Sequence, residues 1–368
     1  MSAIGVSPAD LEKEAEKRNF LLLKLEEVER EEAERVRAAR IRGVLILHGA
    51  SGELLLSGSR YDLNRLCGAL RRGEEPALAD EIAAALARQG RVLAWGRRSL
   101  DFRRKTYVMG ILNCTPDSFY PGSRLHRLEQ ALEAARNMIS AGADILDVGG
   151  ESTRPGSEQV SAEEERNRVI PLIELLRRES DILISIDTRK WKVAEAALDA
   201  GADLVNDVSA LRNNRPLAEL VAERGVPVVL MHMRGEPKTM QENPYYENAV
   251  SEIIKELRGS IDLACRSGIS RDKIIVDPGI GFGKRVADNL SILKYLGSFR
   301  SLGCPLLIGL SRKSFLGAVT GAAVEDRLAA TIAADTIAVL HGADIVRVHD
   351  AREAVEMARL IEAVRGAC

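Results

Sequence analysis

The sequence predicts an α/β protein, a closed (β/α)8 TIM barrel preceded by a small N-terminal α+β extension. Three observations carry this. From Thr106 onward eight apolar strand-like runs alternate with eight helix-like runs. The tripeptide Gly-Ala-Asp recurs at Gly142, Gly201 and Gly342, each time after an Ala-rich stretch and before an apolar run. Polar residues gather at the far ends of those runs.

The extension comes first. Residues 8–42 are dense in Glu, Lys and Arg with interspersed Leu, Val and Ala, and they predict one or two solvated helices. VLILHG (44–49) and ELLLSG (53–58) flank a Gly-containing turn and predict a hairpin. Helices are expected near 61–72 and 77–89, and residues 90–105 predict a strand followed by a basic connector. The division expected is 1–100 for the extension and 101–368 for the barrel. The extension shows no catalytic pattern and is expected to serve packing or assembly.

The barrel strands expected are 107–112, 144–148, 182–187, 203–208, 227–232, 273–278, 305–310 and 344–349. Helices are expected near 127–141, 161–178, 190–200, 215–224, 246–267, 287–299, 324–341 and 351–366. Strands with near-continuous apolar residues suit a parallel sheet covered by helices. Each recurrent Gly is expected to end its helix at the C′ position, so Gly-Ala-Asp reads as a joint from helix to strand.

Composition narrows the function. Aromatic residues are only 4% while hydrophobic residues are 46%, so the core must be mainly aliphatic. The first 100 residues hold 17 Lys and Arg against 16 Asp and Glu, and the formal net charge is −2. No basic face for nucleic acid is expected from such a balance. No apolar run reaches the roughly 20 residues of a membrane span, and no signal peptide is expected at the N-terminus. Five cysteines, none in a CxxC pair, argue against a disulfide framework or zinc site and for the reducing cytoplasm.

In a closed α/β barrel the C-terminal strand ends share one mouth. Here they carry Asn113, Asp147, Asp187, Asn206, Asp207, His232, Asp277, Ser311, Arg347 and His349. Strand alternation lets Arg347 and His349 face the mouth while Val346 and Val348 pack outward. Loops add Thr153, Arg154 and Lys313. Arg154, Arg347 and His349 suit a phosphate-type anion. Asp187, Asn206, Asp277 and Lys313 suit a heterocycle edge with both donors and acceptors. Asn113 alone fits Mg2+, which keeps waters and takes other oxygens from substrate phosphates. DPGIGFGK (277–284) is Gly-rich but is neither GxGxxG nor a Walker loop. Cys114 reads as a packing residue.

The segments MGILNCTPDSF, DVGGESTRPG, SIDT, NDVS, LMHM, DPGIGFGK, GLSRKSF and RVHD follow one another from about Val108 to the C-terminus. Together they resemble the dihydropteroate synthase family of pterin-binding TIM-barrel enzymes. The resemblance implies condensation of 6-hydroxymethyl-7,8-dihydropterin diphosphate with p-aminobenzoate in folate biosynthesis. It implies Asn113 as the Mg2+ ligand. It implies Thr153, Asp147, Asp187, Asn206, Asp277, Lys313, Arg347 and His349 as pterin diphosphate contacts. Phe119, Pro155 and Ser311 resemble the p-aminobenzoate pocket, Arg154 borders both ligands, and Asp117 lies in the closing first loop. Lys313, Arg347, His349, Asp117 and Arg154 are the residues implied in catalysis. A homodimer and a sulfonamide target are implied as well. Tyr120, Pro121, Gly122 and Ser123 stand where the family commonly has Ser-Asp-Gly-Gly, which bears on the first loop. The competing readings are a pterin-dependent methyltransferase on the same barrel and a non-catalytic binding module. The cations Arg154 and Arg347 with His349 favour the synthase over the first, and intact polar strand ends disfavour the second.

Overall fold

The computed structural model describes all residues except 1–20, 26–27, 42, 49–53, 59, 74, 80–81, 83–91, 115–123, 153–159, 213, 236–239, 241 and 368. The chain divides into two compact units. One comprises Met1–Arg91 with Tyr295–Gly303, and the other Val92–Lys294 with Cys304–Cys368.

The first unit contains a three-stranded antiparallel sheet with Leu54–Gly58 in the centre, between Leu21–Leu25 and Leu45–His48. The expected hairpin is therefore present. The expected helix over 8–42 is corrected: residues 21–25 are a strand, and the described helix begins only at Arg30 and ends at Ala38. Pairing with a central strand whose five residues are all buried outweighs the helix-favouring local composition of LLLKL. Val36, Leu54, Leu56, Leu63, Leu66 and Ile82 build this unit's own core with the helix Arg60–Arg72. The helix expected at 77–89 lies largely outside the described residues.

The second unit is the barrel. Its strands are β1 (Tyr107–Asn113), β2 (Ile145–Gly149), β3 (Leu183–Asp187), β4 (Leu204–Asp207), β5 (Val228–Met231), β6 (Ile274–Asp277), β7 (Leu307–Ile308) and β8 (Ile345–Val348). All neighbours are parallel, β8 pairs with both β7 and β1, and a parallel bridge from Val276 to Leu306 closes the ring. The helix expected over 287–299 ends at Lys294, and residues 296–302 form a 3-10 segment. Among the described residues no helix is long and apolar enough to cross a membrane.

The expected basic connector before β1 is instead the second arm of a hairpin, Val92–Trp95 with Arg98–Asp101. Its Leu93, Trp95 and Leu100 pack against Met109, Ile145, Leu204, Val229, Ile275, Leu307 and Ile345, which point inward near the strand starts. Each buried Leu or Ile contributes about 1.5–3 kcal/mol of transfer free energy. This plug ties the hairpin to the barrel, and the second compact unit accordingly begins at Val92.

The three Gly-Ala-Asp joints are one device. Gly142, Gly201 and Gly342 have φ of +100°, +109° and +103°. Each following Ala N–H reaches back to the helix, to Met138, Ala197 and Ala338 respectively. The Asp then clamps one residue of the preceding strand. Asp144, Asp203 and Asp344 donate their own N–H to the carbonyls of Val108, Ile184 and Leu306. Their carboxylates accept the N–H of those same residues at 3.0, 2.9 and 2.9 Å. The joint thus ends a helix and satisfies the unpaired backbone at a strand start.

Candidate active site

Strand alternation builds the site on top of the plug. Two residues above Ile145, Leu204, Ile275 and Ile345, on the same inward faces, stand Asp147, Asn206, Asp277 and Arg347. Asp187 and Ser185 occupy the inward face of β3. The apolar layer excludes water from below, so the polar layer sits in a low-dielectric floor.

Arg347 organises that floor. Its Nε donates to Asp147 Oδ2 at 2.5 Å and its Nη2 to Asp187 Oδ2 at 2.8 Å. Asn206 Nδ2 donates to the same Asp147 oxygen at 3.0 Å. Asp147 is 0% exposed, so this carboxylate holds two neighbours in place rather than meeting solvent. Asn206 then has its Oδ1, and Arg347 its Nη1, to offer upward. Burial pushes the Asp187 carboxyl up to about 7, with Arg347 opposing and Asp147 adding to the rise.

Asp277 and Lys313 form the second half. Burial raises the Asp277 carboxyl above its ordinary range, offset by Lys313 and by the Gly279 N–H, which donates to Oδ1 at 2.7 Å. Burial lowers Lys313 to about 8, opposed by Asp277 and reinforced by Arg347. The Lys313 amine donates to the Ile280 carbonyl and lies 4.7 Å from the centre of the Phe282 ring.

The loop carrying Lys313 is pinned by a strained residue. Arg312 has φ +55°, a conformation that costs a non-glycine residue about 1–2 kcal/mol. Its guanidinium takes both Asp350 oxygens at 2.9 and 2.8 Å, and its N–H donates to Thr331 Oγ1 at 3.0 Å. The reversal turns Ser311 and Lys313 toward the mouth. Ser311 Oγ lies 2.9 Å from His349 Nδ1 and accepts the His349 N–H at 3.2 Å.

Of the residues read from the sequence, Asp147, Asp187, Asn206 and Arg347 meet directly, Asp277 faces Lys313, and Ser311 meets His349. Asn113 ends β1 beside them: a Cβ placed on Gly149 would lie 3.9 Å from Asn113 Oδ1 and 3.8 Å from Asp187 Oδ2. Asp117, Phe119, Thr153, Arg154 and Pro155 lie outside the described residues. Asp207 ends β4 and its carboxylate serves the turn that follows, accepting from Ser209 and Leu211. His232 sits behind the floor, with Nε2 at 3.0 Å from Glu256. Burial pushes the Cys114 thiol up to about 12. Sequence reasoning passed over Ser185, Phe282 and Lys284. Ser185 was signalled by its two-residue offset from Asp187; Phe282 and Lys284 were signalled only by their place in the Gly-rich loop.

Among the described residues no group of three or more His, Cys, Asp or Glu could hold a metal ion. The Asn113 side-chain oxygen, a single neutral donor near Asp187, suits a hard cation that takes most of its ligands from elsewhere.

Comparison with known proteins converges on one family. A family profile described as "Pterin binding enzyme" matches residues 109–349. The dihydropteroate synthase of Escherichia coli K12 is 45% identical over 261 residues, 71% of this chain and 92% of that protein. That of Synechocystis is 43% identical over 270 residues, 73% of this chain and 93% of that protein. Among solved structures, the Yersinia pestis dihydropteroate synthase with a sulfonamide drug superposes with a TM-score of 0.71 at 42% identity, covering 75% of this chain and 100% of that one. The Xanthomonas albilineans enzyme in complex with 7,8-dihydropteroate gives a TM-score of 0.68 at 40% identity, again covering 75% and 100%.

Proposed function

The chain belongs to the dihydropteroate synthase family of pterin binding enzymes, and from that premise we propose how its residues share the reaction. It is a transferase of folate biosynthesis, joining 6-hydroxymethyl-7,8-dihydropterin diphosphate to p-aminobenzoate with release of 7,8-dihydropteroate and diphosphate. The observation that carries the assignment of roles is the inward layer of Asp147, Asp187, Asn206, Asp277 and Arg347 above an apolar plug.

In this reading the pterin lies flat on that floor. Asp277 accepts from the amino group and adjacent ring N–H, Asn206 Oδ1 accepts from the same edge, and Lys313 donates to a ring oxygen or nitrogen. Arg347 Nη1 and His349 face the diphosphate. The C–O bond from the CH2 group breaks, its electron pair leaving with the diphosphate. The arylamine nitrogen then forms the new C–N bond and loses a proton. Negative charge grows on the departing group, so donors aimed at it stabilise the transition state; such a donor contributes on the order of 2.7–4 kcal/mol. Thr153 and Arg154 are proposed to join them, and Phe119, Pro155 and Ser311 to form the p-aminobenzoate pocket beneath a first loop that carries Asp117. Asn113 is the proposed protein ligand of Mg2+, which when bound would neutralise diphosphate charge.

The protein is proposed to act as a cytoplasmic homodimer. Ile337 and Leu340 on one helix, and Leu360 and Val364 on the helix that packs beside it, are 42–67% exposed, an apolar surface that suits a second copy. Sedimentation at micromolar concentration tests this. The function itself is tested by diphosphate release, expected only when the pterin diphosphate, p-aminobenzoate and Mg2+ are all present. Methyl transfer from a methylated pterin without condensation would falsify it.

A further inference from the structure

The loop after β6 is fastened from below by a lysine with no assigned role. Gly279 has φ +67°, and a Cβ there would meet the His232 carbonyl oxygen at 1.9 Å, so the loop lies directly on the chain that follows β5. Lys284 is 3% exposed at this contact. Its Nζ lies 3.0 Å from His232 Nδ1, and donates to the Phe282 carbonyl at 3.0 Å and the His232 carbonyl at 3.3 Å.

The tautomer of His232 follows from its other partner. Glu256 is an acceptor 3.0 Å from Nε2, so Nε2 carries the hydrogen and Nδ1 is free to accept from Lys284. Burial and the adjacent Lys284 hold His232 down to about 4, which keeps that acceptor unprotonated. Glu256 is itself fixed by Arg234. The chain Arg234–Glu256–His232–Lys284 therefore runs from the protein surface to the underside of the loop.

The upper side of the same loop faces Lys313. It supplies the Ile280 carbonyl, the Phe282 ring at 4.7 Å and the Gly279 N–H to Asp277. Lys284 and Lys313 thus hold one short loop at two carbonyls, Phe282 and Ile280 respectively. Only Lys313 belongs to the floor described above.

We propose that Lys284, locked by His232, is a positioning residue that sets the height of the Phe282–Ile280 shelf and so the placement of Lys313 and Asp277 against the pterin. This rests on the synthase reading and names a residue that reading leaves out. A buried amine tying two carbonyls and an imidazole leaves all three unsatisfied when it is removed, so the shelf should shift without loss of the barrel.

The test compares the full-length parent with Lys284→Met, which keeps the stem and removes the donor. Binding of 6-hydroxymethylpterin is measured by calorimetry, and KM for each substrate and kcat by diphosphate release. The variant is expected to melt cooperatively, to bind the pterin at least about tenfold more weakly, and to keep its KM for p-aminobenzoate. A merely structural role would change both substrates together. Unchanged pterin affinity in a folded variant, or equal losses for both substrates, overturns the proposal alone. A parent that binds no pterin overturns the synthase reading and the proposal with it. Should Lys284→Met not fold, a crystal structure of the parent with 6-hydroxymethylpterin decides. The amine is expected to remain on His232 Nδ1 and the two carbonyls, and an amine swung onto the ligand overturns a positioning role.

Discussion

Arg347 and Asp147 are 200 residues apart in the chain and 2.5 Å apart across the barrel floor. The guanidinium also holds Asp187, so one cation orients two carboxylates and, through Asp147, the Asn206 amide. The pair is a structural element of the floor as much as part of the proposed pterin site.

Removing the cation should therefore have two effects. Arg347→Ala is expected to lose at least about 100-fold in kcat/KM. It should also destabilise the fold by about 3–5 kcal/mol, because a buried charge loses its partner. The triple change Arg347→Met with Asp147→Asn and Asp187→Asn should recover most of the stability and none of the activity. Urea unfolding beside the diphosphate assay checks both halves. Full stability in Arg347→Ala alone would remove the orienting role.

The pH profile should report Lys313. Its ammonium is the proposed donor to the pterin, and burial lowers it to about 8 from an ordinary 10.5. The charged form is complete well below pH 8 and is lost as pH rises through it. KM for the pterin diphosphate is thus expected to climb above about pH 8, whereas an unperturbed lysine would leave it flat to about pH 9.5. A flat profile over that interval excludes Lys313 as an essential donor.

Asp335 makes a prediction unrelated to catalysis. It is 0% exposed in the helix Leu328–Leu340, and neither carboxylate oxygen has a partner. Burial raises its pKa well above 3.8, so the folded state keeps a proton that the unfolded chain releases. Stability contributed by this site is complete below the unfolded value and falls as pH rises. Asp335→Leu should stabilise by about 1–3 kcal/mol at neutral pH and by less at pH 5. Unfolding free energies for parent and variant that run parallel across that range would count against a buried proton.

Cys114 should be silent. With its thiol held near 12, iodoacetamide at pH 8 should neither label it in the native state nor reduce turnover. Mass spectrometry of the native protein after treatment reads this directly.

Much of the barrel was legible because its signals are local. Apolar runs mark all eight strands, and positive-φ glycines mark three helix ends. Even the polar floor follows from a two-residue offset within each strand. What escaped depends on partners distant in sequence. LLLKL at 21–25 reads as part of a charged helical stretch until its pairing with residues 54–58 is known. The Asp of each Gly-Ala-Asp joint looks like a turn former until the neighbouring strand's register shows the N–H it accepts. Lys284 looks like a loop lysine because its depth depends on the approach of Gly279 to His232.

The most direct measurement is a crystal structure of this protein with 6-hydroxymethylpterin. The ring is expected over the barrel floor, its amino edge on Asp277 and Asn206, with Lys313 and Arg347 Nη1 donating to it or to the group it carries. A ring bound away from these four residues would contradict the assignment of this floor as the pterin site.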